Sequence, residues 1–198
     1  MEASSVAEAG IPGFATLYAH IRVILGIVVG LGLTHLLRNL ARVVDEPRED
    51  RLYWIHLTWV LFAMLYLLHF WWWEFRISHT SRISFFLFLY LISYTLTLYF
   101  LCALLFPEKN SDPKDYRVLF YERRKWFFAV LALVFLIDIG DSLLKGMGYL
   151  LGLGHIYLYR NLLFFVACLV AIATRSPRYH ATFAVSGILF QIYWLFGE

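Results

Sequence analysis

Charged residues are scarce in this sequence. Asp, Glu, Lys and Arg make up 16% of its 198 residues, whereas they are about a quarter of a typical soluble domain. Hydrophobic residues reach 61%, aromatic residues reach 19%, and the mean hydropathy is +0.67. A soluble domain of this length has too little interior to bury so much apolar surface. The shortage of charge therefore argues against a soluble domain and predicts an integral membrane protein.

Cysteine is also scarce, and motifs of catalysis are missing. Cys102 and Cys168 each lie inside an apolar run, which is typical of reduced core residues, and neither belongs to a C-x-x-C pair. The sequence contains no phosphate loop, nucleophile elbow or zincin motif, so it does not predict an enzyme. The net charge of +3 is too small to indicate nucleic acid. The predicted partner is the lipid bilayer.

Long apolar runs are the main positive signal. A helix of about 20 apolar residues crosses the ~30 Å hydrocarbon layer of a bilayer. The runs predict an all-α, polytopic membrane protein with six transmembrane helices in a single domain covering residues 1–198. The predicted helices occupy residues 14–38, 52–73, 84–106, 126–145, 156–174 and 181–196.

The distribution of basic residues predicts the orientation of these helices. Of the 17 Lys and Arg residues, 12 fall in the first, third and fifth predicted loops or at the adjoining helix ends. Cytoplasmic loops carry an excess of Lys and Arg. We therefore predict that the odd-numbered loops face the cytoplasm, that both termini are non-cytoplasmic, and that the protein resides in the plasma (inner) membrane.

Two polar stripes suggest an internal repeat. Each stripe follows an i, i+3, i+4, i+7 spacing, which places its side chains on one helix face, and the two are offset by 103 residues. Three helices repeated once must be inverted, an arrangement found in many transporters. The sequence thus predicts a 3+3 inverted repeat with halves 14–106 and 126–196. The stripes are His35, Arg38, Asn39 and Arg42 in the first helix and Asp138, Asp141, Ser142 and Lys145 in the fourth.

The two acids of the fourth helix are the leading candidates for a functional site. Ionisable residues inside membrane helices are costly, and they usually face the bundle interior or a water-filled space. Asp138 and Asp141 lie one turn apart and repel each other, so cations are expected nearby. Arg22, Lys145 and Arg160 fall at a comparable depth. We expect these five residues to line an ion or proton path, or else to form a buried ion-pair cluster that fixes helix packing.

A second polar cluster is predicted toward the cytoplasm. His35 and Arg38 share one face of the first helix, and His56 begins the second helix at a similar depth. We assign these residues to the same transport path. An alternative is that His35 and His56 hold a b-type haem as its two axial ligands.

These patterns predict a small channel or transporter that passes an ion, a proton or a small solute between its helices, and that assembles as a homo-oligomer. The first alternative is a membrane haem or redox protein. The second alternative is a non-catalytic membrane sensor or partner subunit, which would use the charged third loop, 107–125, for contact.

Overall fold

A computed structural model describes residues 14–45, 53–74, 84–106 and 115–196 of the chain. All regular structure within these ranges is helical. The helices are α1 (Phe14–Asp45), α2 (Trp54–Trp73), α3 (Phe85–Leu105), α4 (Tyr116–Leu144), α5 (Met147–Gly152), α6 (Gly154–Ala173) and α7 (Pro177–Phe196).

Five of these helices are long and apolar enough to cross a membrane: α1, α2, α3, α4 and α6. They coincide with the first five predicted segments, which confirms a helical, polytopic membrane protein. The sixth predicted segment is also a helix, α7, but it is not among the helices that are long and apolar enough to cross a membrane.

Several helices extend beyond the apolar runs. The helix predicted to begin at residue 126 begins at Tyr116, so much of the predicted third loop is helical. Its start is set by Asp115, whose side chain accepts a hydrogen bond from the Arg117 backbone N–H at 2.6 Å. The first helix likewise continues to Asp45. Hydropathy predicts the part of a helix that lies in the hydrocarbon layer, whereas capping residues determine where the helix begins and ends.

Turns between the helices follow local chemistry. Gly146 and Gly154 have positive φ values of 120° and 77°, a region that favours glycine. They flank α5 and allow the chain to turn between α4 and α6. At the end of α3, Phe106 is extended (φ −128°, ψ 134°), the conformation preferred before a proline such as Pro107.

Helix α2 lies at the centre of the bundle, where it contacts α1, α3, α4 and α7. The rings of Trp73 and Trp194 are 6.5 Å apart, and the Arg22 guanidinium lies 4.6 Å from the Trp71 ring centre. The beginning of α1 and the end of α7 therefore lie at the same end of the bundle. We call it the Trp73 end, and the opposite one the His56 end.

An aromatic layer fills the bundle interior between these ends. Trp59 is fully buried, and its ring centre lies 5.1 to 5.5 Å from those of four phenylalanines. All four contacts are edge-to-face, a preferred geometry for aromatic pairs. The layer consists of Trp59 and Phe62 from α2, Phe127 and Phe128 from α4, and Phe183 from α7.

Candidate functional site: a charged chamber

A partly open cavity of about 80 Å³ lies at the Trp73 end of the bundle. Such a volume holds several water molecules or a small solute. Its walls come from α2, α3, α4, α5, α6 and α7, and we call it the charged chamber. Its residues with acidic, basic or imidazole side chains are His69, Glu74, Asp138, Asp141, Lys145 and Arg160, and its Phe, Tyr and Trp residues are Tyr66, Phe70, Trp73, Tyr94, Tyr149, Tyr157 and Trp194.

Asp138 is the most highly coordinated carboxylate of the chamber. Its Oδ2 accepts hydrogen bonds from the Tyr157 hydroxyl at 2.8 Å, the Asn161 amide at 2.9 Å and the Arg160 guanidinium at 3.0 Å. Its Oδ1 accepts from the Tyr94 hydroxyl at 3.1 Å. The three donors on α6 are spaced i, i+3, i+4, so a single helix face presents all of them. Four donors, one of them cationic, therefore converge on this carboxylate.

Two hydroxyl chains extend this network. Because an ionised carboxylate only accepts, Tyr94 must donate to Asp138, and Tyr66, 3.1 Å away, donates to Tyr94. By the same reasoning Tyr157 donates its proton to Asp138, and Ser142 donates to Tyr157 at 2.8 Å. The network therefore has one consistent set of donor directions, which fixes α3, α4 and α6 around Asp138.

A second group of charges lies toward the end of α4. The Lys145 ammonium is 2.6 Å from Asp141 Oδ2 and 3.1 Å from Glu74 Oε1. These three side chains are only 4 to 6% exposed. Asp141 and Lys145 are one turn apart, with the acid N-terminal, which is the favourable order on a helix. Glu74 joins them from the residue that follows α2. We call Glu74, Asp141 and Lys145 the triad.

The triad shares one cation between two carboxylates. Burial raises the pKa of Glu74 and the negative charge of Asp141 raises it further, while Lys145 offsets part of this effect and leaves the pKa at about 8. Burial alone would lower the pKa of Lys145, but the two carboxylates raise it above its usual value. Lys145 therefore stays charged, and it is the one cation within contact distance of these two carboxylates among the described residues.

The structure brings together four of the five residues predicted for the outer cluster. Asp138 pairs with Arg160, and Asp141 pairs with Lys145, which confirms that the two acids have cationic partners. Arg22 does not line the chamber. It lies over the Trp71 ring and donates to the Tyr18 hydroxyl at 3.4 Å. Its predicted place beside the two acids is wrong, because α1 packs on α2 and α3 rather than next to the acids of α4.

The residues predicted for the inner cluster lie apart from the chamber. His56 is buried at the His56 end, where its Nε2 donates to the Leu105 carbonyl at 2.8 Å and its ring stacks on Tyr116. His35 is also buried; its Nε2 lies 3.5 Å from the Asn39 amide nitrogen, which donates to the His35 carbonyl at 2.7 Å. Arg38 is exposed. The His56 nitrogen that would bind haem iron is thus bonded to a carbonyl, which counts against the haem alternative.

Sequence reasoning missed several residues of the site. Glu74 is the only acid between Asp50 and Glu108, and this isolation in an apolar stretch was a usable signal. Tyr157 and Asn161 share the face of Arg160, a pattern that the charge alone did not reveal. Nothing in the sequence marked Tyr94 as a site residue, since a tyrosine in the middle of an apolar helix is usually part of the packed core.

The chain matches no protein-family model, no characterised protein and no solved structure. The chamber is therefore interpreted from its own chemistry. Among the described ranges, no group of three or more His, Cys, Asp or Glu side chains is placed to hold a metal ion. Its donors and acceptors instead suit a proton, a monovalent cation or a small polar solute.

Proposed function

We propose that the protein is a small membrane transporter that carries a proton, an ion or a small polar solute through the charged chamber. The observation that carries this proposal is the chamber itself, in which three carboxylates and two cations lie between membrane-crossing helices. Ionisable residues at such positions are expensive, and they commonly mark a substrate or ion pathway.

The aromatic layer favours a transporter over an open channel. Trp59 is seven residues from Tyr66 on α2, about 10 Å along a helix. The layer therefore separates the floor of the chamber from the His56 end. A pathway accessible from one end and closed by packed side chains at the other fits alternating access. A pore that conducts continuously fits this arrangement poorly.

We infer that α7 is a sixth transmembrane helix. It has 20 residues, packs on α2, and contributes Phe183 and Ala184 to the buried core. With six crossings both termini lie on one side, and the positive-inside rule makes that side, with the chamber, non-cytoplasmic.

An inverted repeat is not needed. Helix α1 packs mainly on α3, whereas its predicted counterpart α4 packs mainly on α6. That the protein assembles as a homo-oligomer stays a prediction.

The test is a flux assay on proteoliposomes that contain a pH-sensitive dye, with an imposed pH gradient and a potassium diffusion potential. The variant is Asp138→Asn, because the amide preserves the shape of the side chain but carries neither charge nor proton. Glu122→Gln is the control, since Glu122 is exposed on the same helix and lies outside the chamber. Each variant is first checked for monodispersity and for its melting temperature.

We expect wild-type protein and Glu122→Gln to carry protons across the membrane, and Asp138→Asn to lose most of that flux while remaining folded. The assay is repeated with gradients of sodium and of methylammonium, which identify a carried cation. Equal flux in wild-type and Asp138→Asn vesicles, with a lower melting temperature only for the variant, would contradict the proposal. The charges would then be structural, and a sensor or partner subunit would be the better reading.

A further inference from the structure

The carboxylates of the triad are incompletely paired. Glu74 uses Oε1 and Asp141 uses Oδ2 to bind Lys145, while Glu74 Oε2 and Asp141 Oδ1 are buried without any hydrogen-bond partner. An ionised carboxylate has about four acceptor sites. A buried acceptor without a donor loses the hydration free energy it had in water. The two free oxygens therefore point to a missing positive group or proton.

The charge balance of the chamber leads to the same conclusion. Asp138 is neutralised by Arg160, so of the cations that the structure describes in the chamber only Lys145 remains to neutralise the two carboxylates of the triad. Among the described residues that line the chamber, three carboxylates face two cations, which leaves one excess negative charge. An unpaired buried charge is strongly unfavourable, and it attracts a cation or takes up a proton.

Among the described residues that line the chamber, no other side chain supplies the missing charge. The remaining groups that face the triad are neutral hydroxyls, amides and rings, or belong to the Asp138 pair. His69 is the one further titratable group that is not phenolic. These lining residues are His69 on α2, Tyr94 on α3, Asp138 and Ser142 on α4, Tyr149 on α5, Tyr157 and Arg160 on α6, and Gln191 on α7.

We propose that Glu74 and Asp141 together bind one additional monovalent positive charge, either a proton or a small ammonium-type cation, and that Glu74 is the carboxyl that exchanges it. Glu74 holds Lys145 less closely than Asp141 does, at 3.1 Å against 2.6 Å. It also follows the end of α2, nearest the end of the bundle. The proton, when that is the species, passes from water to Glu74 Oε2.

The chemistry of the chamber fits a monovalent charge. The described residues hold no metal-binding group of three or more His, Cys, Asp or Glu side chains, which disfavours a divalent ion. The aromatic walls suit an ammonium group, because the faces of Trp and Tyr rings attract cations. The pKa of Glu74, raised to about 8 by burial and by Asp141, suits a proton exchanged near neutral pH. The inference names the coupled species of the proposed transporter and rests on that function only for its biological role.

The proton is tested by infrared difference spectroscopy on wild-type protein in a detergent without carbonyl groups. We expect the carbonyl band of a protonated carboxyl to disappear as pH rises through about 8. Glu74→Gln should lack this band, whereas Glu122→Gln and His69→Gln should keep it. Since the folded protein then holds a proton more tightly than the unfolded chain, stability from this group is full below a pH of about 4.5 and is lost as pH rises through about 8.

The cation is tested by thermal unfolding with methylammonium or sodium chloride at constant ionic strength. A bound cation should raise the melting temperature of wild-type protein with a saturable concentration dependence. This rise should vanish in Glu74→Gln and persist in Glu122→Gln. Where Glu74→Gln does not fold, Asp141→Asn takes its place.

The proposal is overturned when wild-type protein has neither a titrating carboxyl band nor saturable stabilisation by a cation. It is equally overturned when either signal survives in Glu74→Gln or follows His69→Gln instead. Both measurements are equilibrium measurements without a membrane gradient. They succeed or fail independently of the flux assay, so loss of this proposal and loss of the transport function are distinguishable.

Discussion

Replacing Asp138 by asparagine should destabilise the protein by a calculable amount. The carboxylate accepts four hydrogen bonds, one of them from the Arg160 guanidinium at 3.0 Å. Asparagine offers one acceptor oxygen and an NH₂ group, so whichever end faces Tyr157, Asn161 and Arg160, the charge opposite Arg160 is lost. The arginine is then left as a largely buried cation without a counter-ion.

The magnitude follows from the exposure of the pair. Breaking a fully buried ion pair by removing one partner costs about 3–5 kcal/mol. The side chains of Arg160 and Asp138 are 16% and 21% exposed, so solvent screens part of the penalty and the lower end, about 3 kcal/mol, applies. For a domain of this size each kcal/mol lowers the melting temperature by about 2–4 °C. We therefore expect Asp138→Asn to melt roughly 6–12 °C below the wild type.

A double-mutant cycle tests whether the charge pair is the cause. Asp138→Asn, Arg160→Gln and the double variant are compared with the wild type by thermal unfolding in the same detergent. Removing both charges leaves no unpaired ion, so the double variant should be more stable than the sum of the single losses predicts, by about 2 kcal/mol. Strictly additive losses, or a melting temperature of Asp138→Asn within about 2 °C of the wild type, would refute the reasoning.

Two further predictions concern helix packing and topology. Gly140→Ala places a Cβ against the Tyr90 hydroxyl, which donates to the Ile137 carbonyl at 2.7 Å, so thermal unfolding should show a loss of stability of about 1–3 kcal/mol. In Gly30→Ala the new Cβ has no atom within 4 Å, so this variant should gain about 0.5–1 kcal/mol of stability from helix propensity. Equal effects of the two substitutions would contradict this account. Reporter fusions at the two termini should both report a non-cytoplasmic location, and a cytoplasmic C-terminus would eliminate the sixth crossing by α7.

The helices were predictable because lipid imposes a simple rule. A segment that crosses hydrocarbon must pair its backbone N–H and C=O groups in hydrogen bonds within the protein and be apolar over about 20 residues. Composition alone reveals such apolar runs. The extension of α4 back to Tyr116 was not predicted, since that turn lies outside the apolar run and depends on the Asp115 cap. Helix α7 carries two buried polar residues, His180 and Gln191, and its apolar run is the shortest of the six in the sequence.

The chamber was only partly predictable, because the sequence indicates how deep in the membrane a side chain lies more readily than which neighbouring helix it faces. Asp138 and Asp141 stood out as acids within an apolar run, and Lys145 followed from its i, i+4 spacing to Asp141. Arg22 has a similar depth but lies on a helix that packs elsewhere. Tyr94, which is 44 positions from Asp138 along the chain, reaches it only through the packing of α3 on α4. Such pairings depend on the tertiary arrangement and leave no trace in local spacing.

The balance of positive and negative charges in the chamber separates a structural explanation of these residues from a functional one. Charges that only hold helices together are best neutralised within the protein, and the pairs Asp138–Arg160 and Asp141–Lys145 meet that condition. Glu74 does not, because it adds a third carboxylate to the two cations that the structure describes in the same chamber. A glutamine at this position would fill the same space, and it would supply a donor without adding a charge. The residue is instead an acid with an unpaired oxygen beside a cavity, and this is the group that we propose binds a proton or a cation from outside the protein.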